Sequence, residues 1–169
     1  MKQKLIVAAL VVAGLASIAY AAFSSSLVIN GTATTTADWD VKITNIAADA
    51  ANSTTGATDA TAPAFTDTSA TFDVELAYPG ASATYDITVT NAGSIDAILN
   101  SITPDVATIN GAAPTDITYE VTGVTPSTTT LNAGATNTVT VKVTWNSAST
   151  VTTAQTKTAT ITLNYVQNT

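Results

Sequence analysis

Val139-Thr140-Val141-Lys142-Val143-Thr144-Trp145 decides how the rest of the chain is read. Every apolar side chain in it is followed by a polar one. A period of two places Val139, Val141, Val143 and Trp145 on one face of an extended strand and Thr140, Lys142 and Thr144 on the other. The β-branched residues suit a pleated surface and are less favoured in helix.

The same alternation recurs on both sides of that stretch. Trp39, Val41 and Ile43 alternate with Asp40, Lys42 and Thr44. Ala70, Phe72, Val74 and Leu76 alternate with Thr71, Asp73 and Glu75, and Tyr85, Ile87 and Val89 with Asp86, Thr88 and Thr90. Ile117, Tyr119 and Val121 repeat the pattern, as do Ala159, Ile161, Leu163 and Tyr165. Ile95 to Leu99 alternates less well and reads as a strand with a bulge. Pro79-Gly80, Asn91-Ala92-Gly93-Ser94 and Asn132-Ala133-Gly134 carry turn chemistry. Residues 47–64 are almost all small and polar and are expected to form a long surface excursion. No segment outside the amino terminus shows an apolar stripe of helical period. One apolar and one hydroxyl-rich face per strand is the pattern of antiparallel sheets covering a core on one side. The expected fold is therefore all-β: a single-domain antiparallel β-sandwich of seven or eight strands with Greek-key connections. Gly80 to Thr90 also aligns without gaps on Gly134 to Thr144, as two strands under the same constraints would.

Composition removes several functions. The 169 residues include no His, no Cys and no Arg, and only five Lys against twelve acids, for a net charge of −7. There is no thiol or imidazole for catalysis and no ordinary zinc site. The few cations exclude a phosphate-tracking surface, so no nucleic-acid partner is expected. No cofactor and no metal is expected either. Thr occurs 36 times and fills the outward row of most strands.

The amino terminus reads as an export signal. Lys2 and Lys4 precede an apolar run from Leu5 to Ile18, and Ala19-Tyr20-Ala21 offers small residues where a signal peptidase cuts. The run is shorter than the ~20 apolar residues of a membrane span, so contact with the membrane is expected only during export. The expected organisation is signal 1–21, N-terminal strand 22–33, linker 34–38 and sandwich 39–169. The mature chain is expected outside the cell, without disulfides.

The N-terminal strand has a choice of partner. Phe23, Leu27, Ile29 and Ala33 lie on odd positions with Ser25 and Gly31 between them. Such a strand can pair within its own domain, or it can complete the sheet of a neighbour. A head-to-tail contact of the second kind propagates into a filament unless it closes a ring. Gly31 would let a donor backbone approach closely.

The order of motifs resembles a known family. Ala19-Tyr20-Ala21-Ala22-Phe23-Ser24, then Leu27-Val28-Ile29-Asn30-Gly31-Thr32-Ala33, then Trp39-Asp40-Val41 are similar to TasA and camelysin. Tyr78-Pro79-Gly80, the strand Ala83 to Gly93 and the closing Ile161 to Gln167 continue the likeness. The resemblance implies a jelly-roll-like sandwich secreted as a biofilm-matrix fibre subunit. In that family, and in similar archaeal bundling pili, an N-terminal strand is donated to the next subunit. That donor role carries over to Phe23, Leu27, Ile29, Gly31 and Ala33. Some relatives are labelled metallopeptidases, but this chain has no His-Glu-x-x-His.

The remaining candidates are weaker. Asp38 with Asp40, and Asp73 with Glu75, share strand faces but are expected to be solvated. Asn30-Gly31-Thr32 and Asn52-Ser53-Thr54 match the glycosylation acceptor pattern, with Asn52 the better placed. Phe65 and Tyr78 are out of phase with the core and free for a surface role. The expected function is a secreted structural subunit that polymerises with itself. The alternative is a self-complemented monomeric adhesin or carbohydrate-binding module.

Overall fold

The computed structural model describes residues 36–151, 153, 155, 157 and 160–169. Among them run nine strands and one short helix: β1 (Val41–Ala48), β2 (Ala57–Phe65), β3 (Ala70–Leu76), β4 (Ser82–Asn91), β5 (Ala97–Thr103), α1 (Val106–Gly111), β6 (Ile117–Thr122), β7 (Thr130–Leu131), β8 (Thr136–Trp145) and β9 (Thr162–Gln167). Every strand pair is antiparallel. They form a four-stranded sheet β1-β4-β8-β6, a hairpin β2-β3 and a three-stranded sheet β7-β5-β9.

The two segments that align in sequence, β4 and β8, are neighbours at the centre of the large sheet. Their register sets Ala83 opposite Val143, Tyr85 opposite Val141 and Ile87 opposite Val139, so core side chains meet core side chains across the ladder. Leu99 of β5 and Leu131 of β7 come from the opposing layer and are fully buried. They join the same apolar cluster as Tyr85, Val139 and Val141. The sheets thus stack on one shared core, as the alternation required. Each fully buried Val or Leu in it is worth roughly 1.5–3 kcal/mol, which offsets the absence of disulfides. Residues 36–169 form one compact unit.

The turns follow their residues. Ala81 N–H donates to the Tyr78 carbonyl at 3.0 Å, and Gly80 takes φ +97°. Pro79 and Gly80 therefore occupy the central positions that a type II turn asks of them. At the β4–β5 corner the buried Asn91 amide donates to the carbonyls of Ile95 and Leu131. β5 carries an irregularity between Leu99 and Ser101, near the bulge that the weak alternation suggested.

Four expectations change. Residues 47–64 are not a free excursion. β1 extends to Ala48, a turn follows, and β2 occupies most of the remainder. β2 is solvated on most of its length, so no hydrophobic period marked it, and its ladder to β3 supplies the order. The turn is held by the Asp49 carboxylate, which accepts from Ala51 N–H and Asn52 N–H. Trp39, expected in the core with Val41, precedes β1 and is 43% exposed. The helix α1 was not anticipated. At six residues it is too short to show a helical stripe and buries only Ile109, while Asp105 caps it by accepting from Thr108 N–H at 2.7 Å. The two-residue β7 likewise carries no period of its own.

Candidate binding cleft

The layer facing the large sheet is interrupted. β3 pairs only with β2, and β9 only with β5, so among the described residues each has one unpaired edge. Between them lies a cleft of about 260 Å³. Its floor is the inner face of the large sheet: Ile87 and Val89 of β4, Val139 and Val141 of β8, and Val41 and Ile43 of β1. Ala70 and Phe72 form one wall, and Ile161, Leu163 and Tyr165 the other. No residue of β2 or β5 is among those that line it; its two walls come from the strands that lack a second neighbour among the described residues.

Local chemistry explains how the walls stand. The Phe72 ring stacks on Tyr85, and the Tyr85 hydroxyl donates to Asp59 of β2. These two contacts seat the β2–β3 hairpin on the large sheet. At the rim Ile43 N–H donates to the Asp67 carbonyl at 2.8 Å. The charged lining residues are Lys42 and Asp67. Lys42 is already engaged by Asp40 at 2.6 Å, a contact that raises its pKa. On the far wall the Tyr165 hydroxyl is buried and makes no hydrogen bond of ordinary geometry, although Asn137 lies close to it. Burial pushes the hydroxyls of Tyr85, Tyr119 and Tyr165 above the ordinary tyrosine value, and for Tyr85 the neighbouring Asp59 adds to the effect. The cleft is thus an apolar trough between β3 and β9, each of which pairs with a single strand among the described residues. It is chemically suited to an extended apolar peptide, and the described residues that line it include no nucleophile–base pair.

The residues singled out in sequence fall unevenly. Phe23, Leu27, Ile29, Gly31 and Ala33, the signal residues Ala19 and Ala21, and Asn30 lie outside the described residues. Asn52 sits exposed in the turn after β1, and its side-chain amide donates to the Asp49 carboxylate. Asp73 and Glu75 are exposed, as expected. Among the described residues no group of three or more acids could hold a metal ion, and no helix is long and apolar enough to cross a membrane. Phe65 and Tyr78 are exposed large side chains. Sequence reading missed the cleft itself. It is made by strands remote along the chain, and no local pattern announces where two edges fail to meet.

Residues 63–169 match the family model described as HYDIN/CFA65/VesB-like, Ig-like domain. The match opens within β2 and runs through β9. No curated protein and no solved structure is matched. The finding overturns the resemblance to TasA and camelysin. A Pro-Gly turn feeding a Thr-Val strand, and an alternating last strand, serve any antiparallel Ig-like sheet, so their order did not single out that family.

Proposed function

The chain belongs to the HYDIN/CFA65/VesB-like family of Ig-like domains, and from that premise we propose that it is a secreted structural subunit joining copies of itself head to tail into an extracellular fibre or pilus. Ig-like domains are typically structural or interaction modules, and composition points the same way. The observation that carries the reading is the interrupted layer, in which β3 and β9 each keep an unpaired edge among the described residues. Exposed edges recruit strands, and the chain supplies an alternating eleven-residue segment, Phe23 to Ala33, ahead of the sandwich. A strand donated to the next subunit makes a heterologous contact, which grows into a filament.

Electron microscopy and sedimentation of the mature chain test this directly. Filaments are expected, and Leu27→Asp with Ile29→Asp should abolish them, because two carboxylates would have to be buried without partners. A mature protein that stays monomeric at every concentration would instead be the self-complemented adhesin.

A further inference from the structure

We infer that the cleft between β3 and β9 is the acceptor site, and that its occupant is the segment Phe23–Ala33 of a second copy of this chain. The inference rests on the self-assembly reading above and adds the location, the contacting face and the reason that the strand comes from a neighbour.

The contacting face follows from alternation. Leu27 and Ile29 are two residues apart, so on an extended strand their side chains point the same way at a spacing of ~7 Å. The floor offers apolar pairs at the same spacing, Ile87 with Val89 and Val139 with Val141. Odd-numbered donor residues facing this floor bury Phe23, Leu27 and Ile29. Even-numbered residues, Ser24, Ser26, Asn30 and Thr32 among them, face solvent with the other outward rows. The donor backbone then meets the open edges of β3 and β9 on either side. A strand placed there closes the second layer.

The linker favours a neighbour over the chain itself. The backbone is already fixed at Asp38 and Asp40. Ser94 N–H donates to the Asp38 carbonyl at 2.9 Å and Ala92 N–H to the Asp40 carbonyl at 2.7 Å, while Asp38 N–H donates to the Ser94 hydroxyl. These bonds prolong the β1–β4 pairing beyond the end of β4 and fix the backbone of residues 38–40 there. To return to its own cleft, the donor would have to reverse within Thr34-Thr35-Thr36-Ala37. That stretch has no Gly, Pro, Asn or Asp, and its three β-branched residues favour an extended backbone over a reversal. A linker that keeps to this preference hands the donor to the next subunit rather than to its own cleft.

The chain has no Cys, so paired cysteines report the contact without background. In the mature chain, Leu27→Cys or Ile29→Cys is combined with Ala70→Cys on β3 or with Leu163→Cys on β9, and oxidised after assembly. A ladder of disulfide-linked multimers is expected from wall pairs, and none from Leu27→Cys with Glu120→Cys on β6. Hydrogen exchange of the unaltered protein supplies a second measurement that does not depend on a variant folding. Amides of β3 and β9 should become protected on assembly. Filaments that protect the β6 or β7 edge instead, or that give no wall ladder, would overturn the acceptor site and leave self-assembly standing. A wall disulfide confined to monomers would show the cleft filled by its own chain. Absence of filaments altogether would remove the reading on which the site rests.

Discussion

The ring of Phe72 stacks on the ring of Tyr85 with centroids 4.4 Å apart and planes 20° from parallel. The pair joins the β2–β3 hairpin to the central strand of the large sheet, and Phe72 also forms one wall of the cleft. Truncation at Phe72 therefore acts on two levels. Phe72→Ala should cost about 3 kcal/mol in urea unfolding, toward the low end for a Phe because the ring is only partly buried. It should also slow filament growth in seeded assays more than an equally destabilising change far from the cleft, because the wall recedes from the strand that it would hold.

The stack also ties stability to alkaline pH. The Tyr85 hydroxyl is raised above its ordinary value of 10.0 by burial and by Asp59, and burial raises Tyr119 and Tyr165 in the same direction. A raised pKa means that the folded state holds the proton more tightly than the unfolded chain. The stability is complete below about pH 10 and is lost as pH climbs from there through the folded values. Urea midpoints should be flat from neutral pH to about pH 10 and fall above it. Tyr85→Phe should lose about 1 kcal/mol at neutral pH, from the missing bond to Asp59, and should show a shallower alkaline fall.

How much of this was legible depended on where each residue's partner lay. The β4 and β8 strands were readable because Ala83, Tyr85 and Ile87 meet Val143, Val141 and Val139 across one ladder, so burial leaves a period of two in the sequence. Strand β2 was hidden because it is solvated on most of its length and Asp59, which reaches in to the Tyr85 hydroxyl, is polar, so no apolar period of two forms. Trp39 was misplaced because the strand begins two residues later, at Val41, and leaves the indole exposed. The cleft was unreadable for a different reason. Phe72 and Leu163 face each other from distant parts of the chain, and whether two edges meet or stay apart is decided by three-dimensional packing alone. The family was misread because turn and strand motifs record sheet geometry, which many sandwiches share.

Lys157 fastens the long β8–β9 connection. Its ammonium donates to the carbonyls of Ala112 and Ile117 at 2.9 Å and of Pro114 at 3.2 Å, while its own carbonyl accepts from the Tyr119 hydroxyl at 2.8 Å. Lys157→Met keeps the stem and leaves those carbonyls without their cation. The expected loss is about 1–3 kcal/mol. Limited proteolysis should cut the connection earlier than in the parent, whereas Lys157→Arg should recover part of the protection.

Gly93 allows the chain to enter the sandwich. A Cβ placed there would lie 2.7 Å from Asp40 N, and closer still to the Asp38 carbonyl oxygen, and both are backbone atoms that cannot rotate away. Gly93→Ala should push residues 38–40 off the corner at a cost of about 1–3 kcal/mol. Amide exchange at Ala92 and Ser94, which donate to Asp40 and Asp38, should accelerate while the centre of β8 is unchanged. Equal acceleration throughout the core would show that the contact is not local.

Asn91 anchors the same corner from inside. Its side chain is fully buried, donates to the carbonyls of Ile95 at 2.7 Å and Leu131 at 3.0 Å, and accepts from Gly93 N–H at 3.1 Å. Asn91→Ala strands the buried Leu131 carbonyl, the part-buried Ile95 carbonyl and the Gly93 N–H, and should cost about 3 kcal/mol. Asn91→Asp keeps the shape but turns a carboxylate toward two carbonyl oxygens, so at neutral pH it should be the worse of the two. One carboxylate oxygen keeps the Gly93 N–H, but burial of the other against two carbonyl oxygens raises that carboxyl's pKa in the folded state. The folded protein then binds the proton more tightly, and Asn91→Asp should regain stability as pH falls toward the carboxylate range while Asn91→Ala does not. Urea midpoints of the two variants across acidic pH should therefore converge and then cross. Parallel curves would mean that the corner is held by Gly93 and the strand ladder rather than by the Asn91 amide.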